Sequence, residues 1–448
     1  MKISTLFFPT LVISGYVIQF KDSLGLKQLL DQDDKSNVLH HIRPYITNKL
    51  TIGSFQGIAG NFTDDVVKRL KSSPFVKDIV PDVIVKAFES EQEINSELTI
   101  HLARLSRNAK LPSNQAVNYY HEPVFNGKGV FVYIIDTGIN KEHPEFEGRA
   151  IFGADFTSEG DGDRNNHGTH VAGVVGSKTY GVAKEATLVE VKALDRLGQG
   201  SLSTVLAALE FAVNDRKSRG VPGVVNLSLG SAKNTVLNQA IKAAVESGLV
   251  VAAAAGNANI DSCLTSPASS SFAITVGAID DKTDSIAHFS NWGNCVDVFA
   301  SGVLVNSVDA FNYDNPLVHS GTSMASPSVS GLSAILLQKG VPVNEISNQI
   351  KLLSTKDQIN RRSKMFRPST PDRIANNGVQ KHDDVYPEEK IEEGNIKDDD
   401  SFDSDRLRKF KDGEPRPDDL KSDDSAPQSV GGLDIAVDKH NDESDSTI

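Results

Sequence analysis

The chain has 448 residues, of which 39% are hydrophobic and 23% charged, and its formal net charge is −13. This length is enough for two or three folded units. Residues 381–448 contain 22 acidic and 10 basic residues and so hold 12 of the 13 excess negative charges. The remainder is near neutral and has no basic stripe, which excludes nucleic acid as an expected partner.

The N-terminus predicts a signal peptide over residues 1–15. MKISTLFFPTLVISG places a lysine before a short apolar run that ends in small residues. The alternative is that this run continues into the strand YVIQF. The run is too short to cross a bilayer, and no other stretch is long enough, so no membrane span is expected.

Residues 16–88 have the pattern of a small α+β unit. YVIQF alternates as a strand does, a helix-compatible stretch follows, and a second strand is predicted around residues 50–55. A helix is predicted after Thr63 as its N-cap, with two aspartates in its first turn. FVKDIVPDVIVKAF then reads as a strand pair, and the polar segment after it as an exposed linker, within residues 89–119.

Residues 120–357 alternate short apolar runs with helical patterns. VFVYIID, VVNLSLG and LVVAAAAGN are near-continuous apolar runs, as expected for strands buried on both faces. Helical patterns lie between them, and one of these ends with Gly248 as a C-cap. The alternation predicts an α/β fold, with a parallel sheet flanked by helices. Residues 358–448 lose this periodicity and are predicted to be a disordered acidic tail.

Three segments carry the groups with which serine hydrolyses a peptide bond, which are a nucleophile, a base and an orienting carboxylate. Asp136 follows a predicted buried strand, at the sheet edge where α/β proteins place their sites. His167 and Ser323 each stand where a small-residue turn opens an apolar helix. Taken singly, each has a structural alternative, namely a turn aspartate, a structural histidine and a helix-capping serine.

Together, DTGI, HGTH and GTSMASP resemble the subtilisin family, and FSNWGNCVDVFA and NLSLG resemble its proteinase K branch. The order Asp, His, Ser is that of subtilisin itself. The resemblance implies a subtilisin-like serine endopeptidase in which Asp136 orients the imidazole, His167 is the general base and Ser323 the nucleophile. It also implies that Asn257 is an oxyanion donor, the alternative being a turn residue after a glycine.

The same resemblance implies where protein and peptide substrates bind. Two edge segments would pair with an extended substrate, and a roomy apolar S1 pocket would lie beside residues 254–256. The residues concerned are Gly198, Gly200, Ser228, Leu229, Gly230 and Gly256. Backbone pairing gives affinity with little side-chain selectivity, so broad specificity with an apolar bias is expected.

GIAGNFTDDVVKRLKSSPFVKDIVPD resembles the inhibitor-like propeptide of the family. Residues 16–88 would then be a ferredoxin-like inhibitor propeptide, the chain's own partner, and residues 89–119 the processing linker and the start of the mature enzyme. The linker after Phe88 would lie in the cleft and be cut between residues 89 and 107 by Ser323 itself. The mature enzyme is expected to be a monomer in the vacuole lumen or, alternatively, outside the cell. Asn61 begins a glycosylation sequon in this unit.

Cys263 and Cys295 are implied to form a disulfide, because a similar pair is bridged in thermostable members of the proteinase K branch; the alternative is two buried thiols. No cofactor is expected to be required. The acids of GDGDRNNHGTH are interpreted as a solvated turn rather than a metal site. By resemblance to proteinase K, a structural calcium could bind Asp297 with the carbonyls of Ser271 and Ala273.

The chain departs from the family pattern at several positions. Ser328 stands where histidine is usual, Ser330 where alanine is usual and Ser301 where proline is usual. These departures leave an alternative open, which is a catalytically impaired relative that acts as a binding or scaffold protein through its acidic tail.

Overall fold

The computed structural model describes residues 15–23, Leu26 and residues 40–88, 99–112 and 118–379. The predicted signal peptide, most of the predicted linker and nearly all of the acidic tail lie outside the described residues. Within the described part of the chain, no helix is both long and apolar enough to cross a membrane.

The N-terminal unit contains an antiparallel sheet with the strand order β2-β3-β1-β4. Its elements are β1 Tyr16–Phe20, β2 Ile46–Ile52, β3 Phe55–Gly60, α1 Asp64–Lys71 and β4 Val76–Pro81. The single strand predicted around residues 50–55 is wrong, because Gly53 has φ +51° and turns the chain there into the β2–β3 hairpin. The helix predicted after Thr63 is present as α1.

The predicted strand pair within FVKDIVPDVIVKAF is also wrong. β4 pairs with β1, whereas the next strand, β5 Ile84–Ala87, leaves the N-terminal unit and joins a different sheet. Two sheets therefore share this short stretch of chain.

The rest of the described chain forms an α/β domain. Its elements are α2 Ile100–Leu105, β6 Phe131–Asp136, β7 Ala150–Asp155, α3 His167–Gly176, β8 Thr187–Lys192, β9 Gln199–Ser201, α4 Leu202–Arg219, β10 Gly223–Leu227, β11 Leu229–Ala232, α5 Thr235–Glu246, β12 Leu249–Ala254, β13 Thr265–Ser266, β14 Ile274–Asp280, β15 Ser285–Ile286, β16 Val298–Ser301, β17 Val305–Ser307, β18 Leu317–His319, α6 Thr322–Gln338, α7 Ile346–Leu353, β19 Thr355–Lys356, α8 Arg361–Lys364 and β20 Arg373–Ile374. Gly248 follows α5 with φ +93°, in the position predicted for a C-cap glycine.

The central sheet has the order β19-β20-β16-β14-β12-β10-β6-β8-β7, and every neighbouring pair from β20 to β7 is parallel. Successive residues of its strands enter opposite hydrophobic clusters, so that Val132 and Ile134 of β6 pack on one face and Tyr133 and Ile135 on the other. The first face is covered by α3 and α6, the second by α4 and α5. This confirms the predicted α/β fold class.

The N-terminal unit packs on α4 and α5, and apolar side chains of β1, β2 and β3 complete the hydrophobic cluster on that face. The Asp82 carboxylate accepts bonds from the backbone N–H and the hydroxyl of Ser203, at 2.8 and 2.6 Å, in the first turn of α4. Asp78 accepts from the Thr235 hydroxyl, at 2.6 Å, at the start of α5. Both carboxylates thus lie where a helix dipole stabilises negative charge.

The C-terminal boundary predicted at residue 357 is wrong. β20 lies beyond it and pairs in parallel with β16 of the central sheet. Ile359 and Ile374 are 2% and 1% exposed and pack with Phe299 in one cluster. Isolated apolar residues in such short elements show no periodicity, so the sequence pattern did not reveal them.

A buried ion pair anchors α2. Arg104 is 1% exposed and donates Nε and Nη2 to the Asp284 carboxylate, at 2.8 and 3.3 Å. Asp281 lies nearby, and burial raises its pKa to about 7. The Ser301 hydroxyl, in the position where the resembled family usually has proline, donates to Asp281 Oδ1 at 2.7 Å. Asp281 Oδ2 has no hydrogen-bond partner among the described residues.

Asp281 should make the fold more stable in acid than at neutral pH. Its folded pKa of about 7 lies above the value of about 3.9 in an unfolded chain. Between these values only the folded state holds the proton, so stability falls as pH rises through this window, by up to about 4 kcal/mol. We expect Asp281→Asn to raise the melting temperature by clearly more at pH 8 than at pH 5, because at pH 5 only part of this window has been crossed.

The measurement is thermal unfolding by circular dichroism. Asp280→Asn, at a neighbouring and partly exposed carboxylate, serves as the control. Equal shifts at the two pH values would show that the Asp281 proton does not contribute.

Candidate active site

Asp136, His167 and Ser323 are placed by three different elements. Asp136 is the last residue of β6, His167 the first residue of α3 and Ser323 the second residue of α6. α3 and α6 pack side by side on the same face of the sheet. Residues that are 31 and 156 positions apart in sequence are thereby brought to the same part of the domain.

Asp136 and His167 form a buried hydrogen-bonded pair. Asp136 Oδ1 lies 2.7 Å from His167 Nδ1, and neither side chain is exposed. The backbone N–H of Thr137 donates to the same carboxylate oxygen at 2.8 Å, which fixes its orientation. With the Nδ1 proton directed at Asp136, Nε2 is the ring nitrogen suited to accept a proton.

Ser323 lies in a turn that other polar groups hold in place. Its hydroxyl donates to the Ser228 carbonyl at 3.0 Å. Asn257 Oδ1 accepts from the backbone N–H and the hydroxyl of the preceding residue, Thr322, at 2.9 and 2.8 Å. The turn that carries Ser323 is therefore tied to the ends of both β10 and β12.

The other end of the Asn257 amide faces the cleft. Asn257 Nδ2 is buried and has no acceptor among the described residues. A Cβ on Gly321 would lie 3.1 Å from Nδ2 and 2.6 Å from the Phe88 carbonyl oxygen, so the donor and the carbonyl face the same space. Any side chain at position 321 would collide with that carbonyl. The geometry suits a donor that acts on an oxyanion.

β5 occupies the cleft as the strand between β11 and β9, antiparallel to both. Val85 pairs with Gly200 and Ala87 with Leu229, and the Ala87 N–H donates to the Gly198 carbonyl at 3.0 Å. The linker after Phe88 was predicted to fill the cleft; the strand before Phe88 fills it instead. Residues 89–98 lie outside the described residues.

The Phe88 ring lies in the pocket that the resemblance identified as S1. A Cβ on Gly230 would be 2.5 Å from the tip of this ring, and one on Gly256 would be 3.7 Å from it. Gly256 also has φ +104°, which disfavours any other residue there. The missing side chains at these two positions give the ring its space.

Comparison with known proteins identifies the family. The profile of the Subtilase family matches residues 127–366. The subtilase-type proteinase RRT12 of Saccharomyces cerevisiae is 43% identical over 424 residues, which are 85% of each chain. The chain is a subtilase. Cerevisin of the same yeast is 43% identical over 291 residues, which cover 63% of this chain and 45% of cerevisin.

Two further proteins extend the comparison. The cuticle-degrading protease of Metarhizium anisopliae is 39% identical over 329 residues, 73% of this chain and 80% of that protein. The crystal structure of a cold adapted subtilisin-like serine proteinase matches this chain with a TM-score of 0.56 and 34% sequence identity. The match covers 63% of this chain and 99% of that chain. The fold is therefore subtilisin-like, and this subtilase is a serine endopeptidase.

Asp163 is a part of the subtilase site that the sequence did not reveal. It was interpreted as belonging to a solvated turn, but it is 7% exposed. Its carboxylate accepts from the Thr137 hydroxyl, from the backbone N–H groups of Asn165 and Asn166, and from the N–H and hydroxyl of Thr169, at 2.7 to 3.0 Å. These bonds join the turn after the buried carboxylate to the start of α3. The sequence offered one signal for this role, which is that Asp163 lies shortly before His167, the predicted base.

The predicted calcium ligands do not fit calcium in this subtilase. Asp297 Oδ1 forms an ion pair with Lys351 Nζ at 2.6 Å, and Oδ2 accepts from the Thr275 N–H at 2.8 Å. A lysine already neutralises the carboxylate that was to bind the ion with the carbonyls of Ser271 and Ala273. Among the described residues, no cluster of three or more metal-binding side chains is found.

A disulfide joins Cys263 to Cys295, as the resemblance implied. The two segments that it connects also meet at Asn291, whose Oδ1 accepts from the N–H groups of Ala258 and Ile260, at 3.0 and 3.1 Å. Asn291 Nδ2 is the atom that a Cβ on Gly256 would meet at 2.4 Å. The bridge therefore braces the loop that backs the S1 pocket.

Asn257 should act through its free donor rather than through Thr322. We expect Asn257→Ala to lower kcat by roughly 10²–10³, the magnitude known for the corresponding asparagine of subtilisin itself. Asn257→Asp keeps the acceptor for Thr322 but removes the donor, and should be at least as slow. Steady-state kinetics on active-site-titrated enzyme would measure both variants. An Asp variant with the parent's kcat would mean that the asparagine only holds Thr322.

Proposed function

We propose that this subtilase is a broad-specificity endopeptidase made as a zymogen, with residues 16–88 as its inhibitory propeptide. Asp136 would orient the imidazole of His167, which would act as the general base. Ser323 would be the nucleophile, and Asn257 would stabilise the oxyanion. The observation that best supports this is the position of Phe88. Its ring fills the S1 pocket while its carbonyl faces Asn257 Nδ2 beside Ser323. The chain thus presents its own peptide bond to the site.

The chemistry follows from this placement. The Ser323 hydroxyl transfers its proton to His167 Nε2 while its oxygen attacks the Phe88 carbonyl carbon. Asn257 Nδ2 and the Ser323 N–H donate to the oxyanion that forms. His167 then gives the proton to the nitrogen of Glu89, the C–N bond breaks, and a new N-terminus leaves. Water, activated by His167, hydrolyses the acyl-enzyme and regenerates Ser323.

The scissile bond is therefore Phe88–Glu89, at the start of the linker in which cleavage was predicted. Because bond and nucleophile belong to one chain, the first cut is effectively unimolecular. After this first cut, we expect the N-terminal residue of the purified parent enzyme to be Glu89. The Ser323→Ala chain, made in a host without related proteases, should keep this bond intact.

Mass spectrometry of the two chains would test this prediction. Phe88→Asp places a charge in an apolar pocket and should slow the cut by at least about tenfold. Lys86→Ala is the control, because that side chain is exposed on the same strand. Efficient cutting of the Ser323→Ala chain at residue 88 would assign the cut to an outside enzyme.

The cleft strand also indicates which substrate side chains matter. Val85 is fully buried, whereas Ile84 is 53% exposed and Lys86 is exposed. The enzyme would therefore select a large apolar or aromatic residue at P1 and an aliphatic one at P4, and tolerate most others. Extended segments of proteins fit this requirement.

Gly230 should set the preference at P1. Gly230→Ala places a Cβ where the aromatic ring lies, so kcat/KM for a peptide with Phe at P1 should fall at least about tenfold relative to one with Ala at P1. Ser231→Ala on the same strand is the control, because its hydroxyl bonds to the carbonyl of the next residue, Ala232. A Gly230→Ala enzyme with an unchanged Phe to Ala ratio would mean that P1 binds elsewhere.

A secretory route to the vacuole or to the outside of the cell completes the proposal. It is supported by the N-terminal apolar run and by the disulfide, a bond of oxidising compartments. Labelling of the purified mature protein with a fluorophosphonate tests the activity. Modification of Ser323 is the expected result. An unlabelled, folded protein would favour the scaffold alternative.

A further inference from the structure

A hydrogen-bonded chain runs from Asn226 to the backbone of Ser323. Asn226 lies near the end of β10 and is fully buried. Its Nδ2 donates to Ser228 Oγ at 2.9 Å, and this hydroxyl donates to the Ser323 carbonyl at 2.8 Å. The amide thus reaches the nucleophile through one serine.

The other end of the same amide holds the helix behind the nucleophile. Asn226 Oδ1 accepts from the hydroxyls of Ser326 and Ser330, each at 2.9 Å. Both serines are fully buried, and they lie one turn apart on α6. Ser330, which replaces the usual alanine, therefore has a partner that its hydroxyl requires in the core.

Pro327 explains why the Ser323 carbonyl needs an outside donor. In an α-helix the carbonyl of residue 323 accepts from the N–H of residue 327, and proline has none. Pro327 is the sixth residue of α6, inside the helix rather than in its first turn. The Ser228 hydroxyl supplies the missing bond.

The network also connects the nucleophile to the peptide-binding strand. The Ser228 carbonyl accepts from the Ser323 hydroxyl at 3.0 Å. The next residue, Leu229, pairs with Ala87 of the strand in the cleft. One amide therefore sets the position of Ser323 relative to a bound peptide.

We propose that Asn226 is a positioning residue for Ser323, and that Ser330 strengthens its hold on α6. The proposal rests on Ser323 as the nucleophile. Among the described residues, the Asn226 amide bonds to serines and not to β5, so it acts on the placement of the attacking oxygen and not on substrate binding. Losing parts of the network should therefore lower kcat and leave KM nearly unchanged.

Ser330→Ala tests the network with the least disturbance, because alanine favours helix. Ser333→Ala is the matched control, since Ser333 is equally buried on α6 but donates to the Val329 carbonyl of its own helix, at 2.8 Å. We expect Ser330→Ala to lower kcat and the rate of fluorophosphonate labelling by roughly 3–10-fold, with KM within about twofold. Ser333→Ala should match the parent.

A double-mutant cycle separates positioning from simple support of the fold. Ser228→Ala should lower kcat by roughly 10–100-fold, and the Ser228→Ala, Ser330→Ala double variant should lose less than the product of the two effects, because both act through Asn226. Melting temperatures identify variants that lose only stability. Independent effects on kcat, or a Ser330→Ala enzyme with lower stability but the parent's kcat, would overturn the proposal. A parent enzyme that is not labelled at Ser323 would instead refute the nucleophile assignment.

Discussion

The carboxyl ends of the parallel strands all lie at one edge of the central sheet, and the site depends on this constraint. Asp136 ends β6, Ser228 directly follows β10, and Asn257 lies three residues beyond β12. No local turn could bring these three together, because they are far apart in sequence. The parallel order makes their convergence unavoidable once the strands pair in register. The helices that begin at this edge then add His167 and Ser323.

Around this edge, buried polar groups that have hydrogen-bond partners hold the backbone in place, whereas buried polar atoms without partners have other roles. The Asp163 carboxylate and the Asn226 amide have protein partners at both ends, which fixes the backbone that they hold. Asn257 Nδ2 and Asp281 Oδ2 are buried without a partner among the described residues. A buried donor without an acceptor is unfavourable until a charge develops next to it. The first of these atoms faces the peptide, and the second makes stability depend on pH.

The sequence could predict what is encoded locally. The apolar strands, the helices opened by His167 and Thr322 and the C-cap at Gly248 all follow from periodicity and turn residues. The resemblance supplied the site residues and the disulfide. Other features depend on contacts between distant segments, which a linear pattern does not show. This group includes the pairing of β5 with β9 and β11, the strand at residues 373–374 and the Asn226 network. The hairpin at Gly53 was a local signal that was missed.

Under the proposed zymogen mechanism, inhibition and assistance of folding come from the same contacts. The N-terminal sheet is antiparallel and its paired residues lie at most 65 positions apart, whereas the parallel sheet joins β6 to β10 across 92 positions, so the smaller sheet can form early. Once formed, it covers the apolar face of α4 and α5, its carboxylates bond to the first turn of both helices, and β5 supplies the strand between β9 and β11. Each contact stabilises the α/β domain before the strand pairs of its central sheet are complete. The strand that aligns the cleft for folding is also the one that blocks it, so removal of that strand is what makes the cleft available to a substrate.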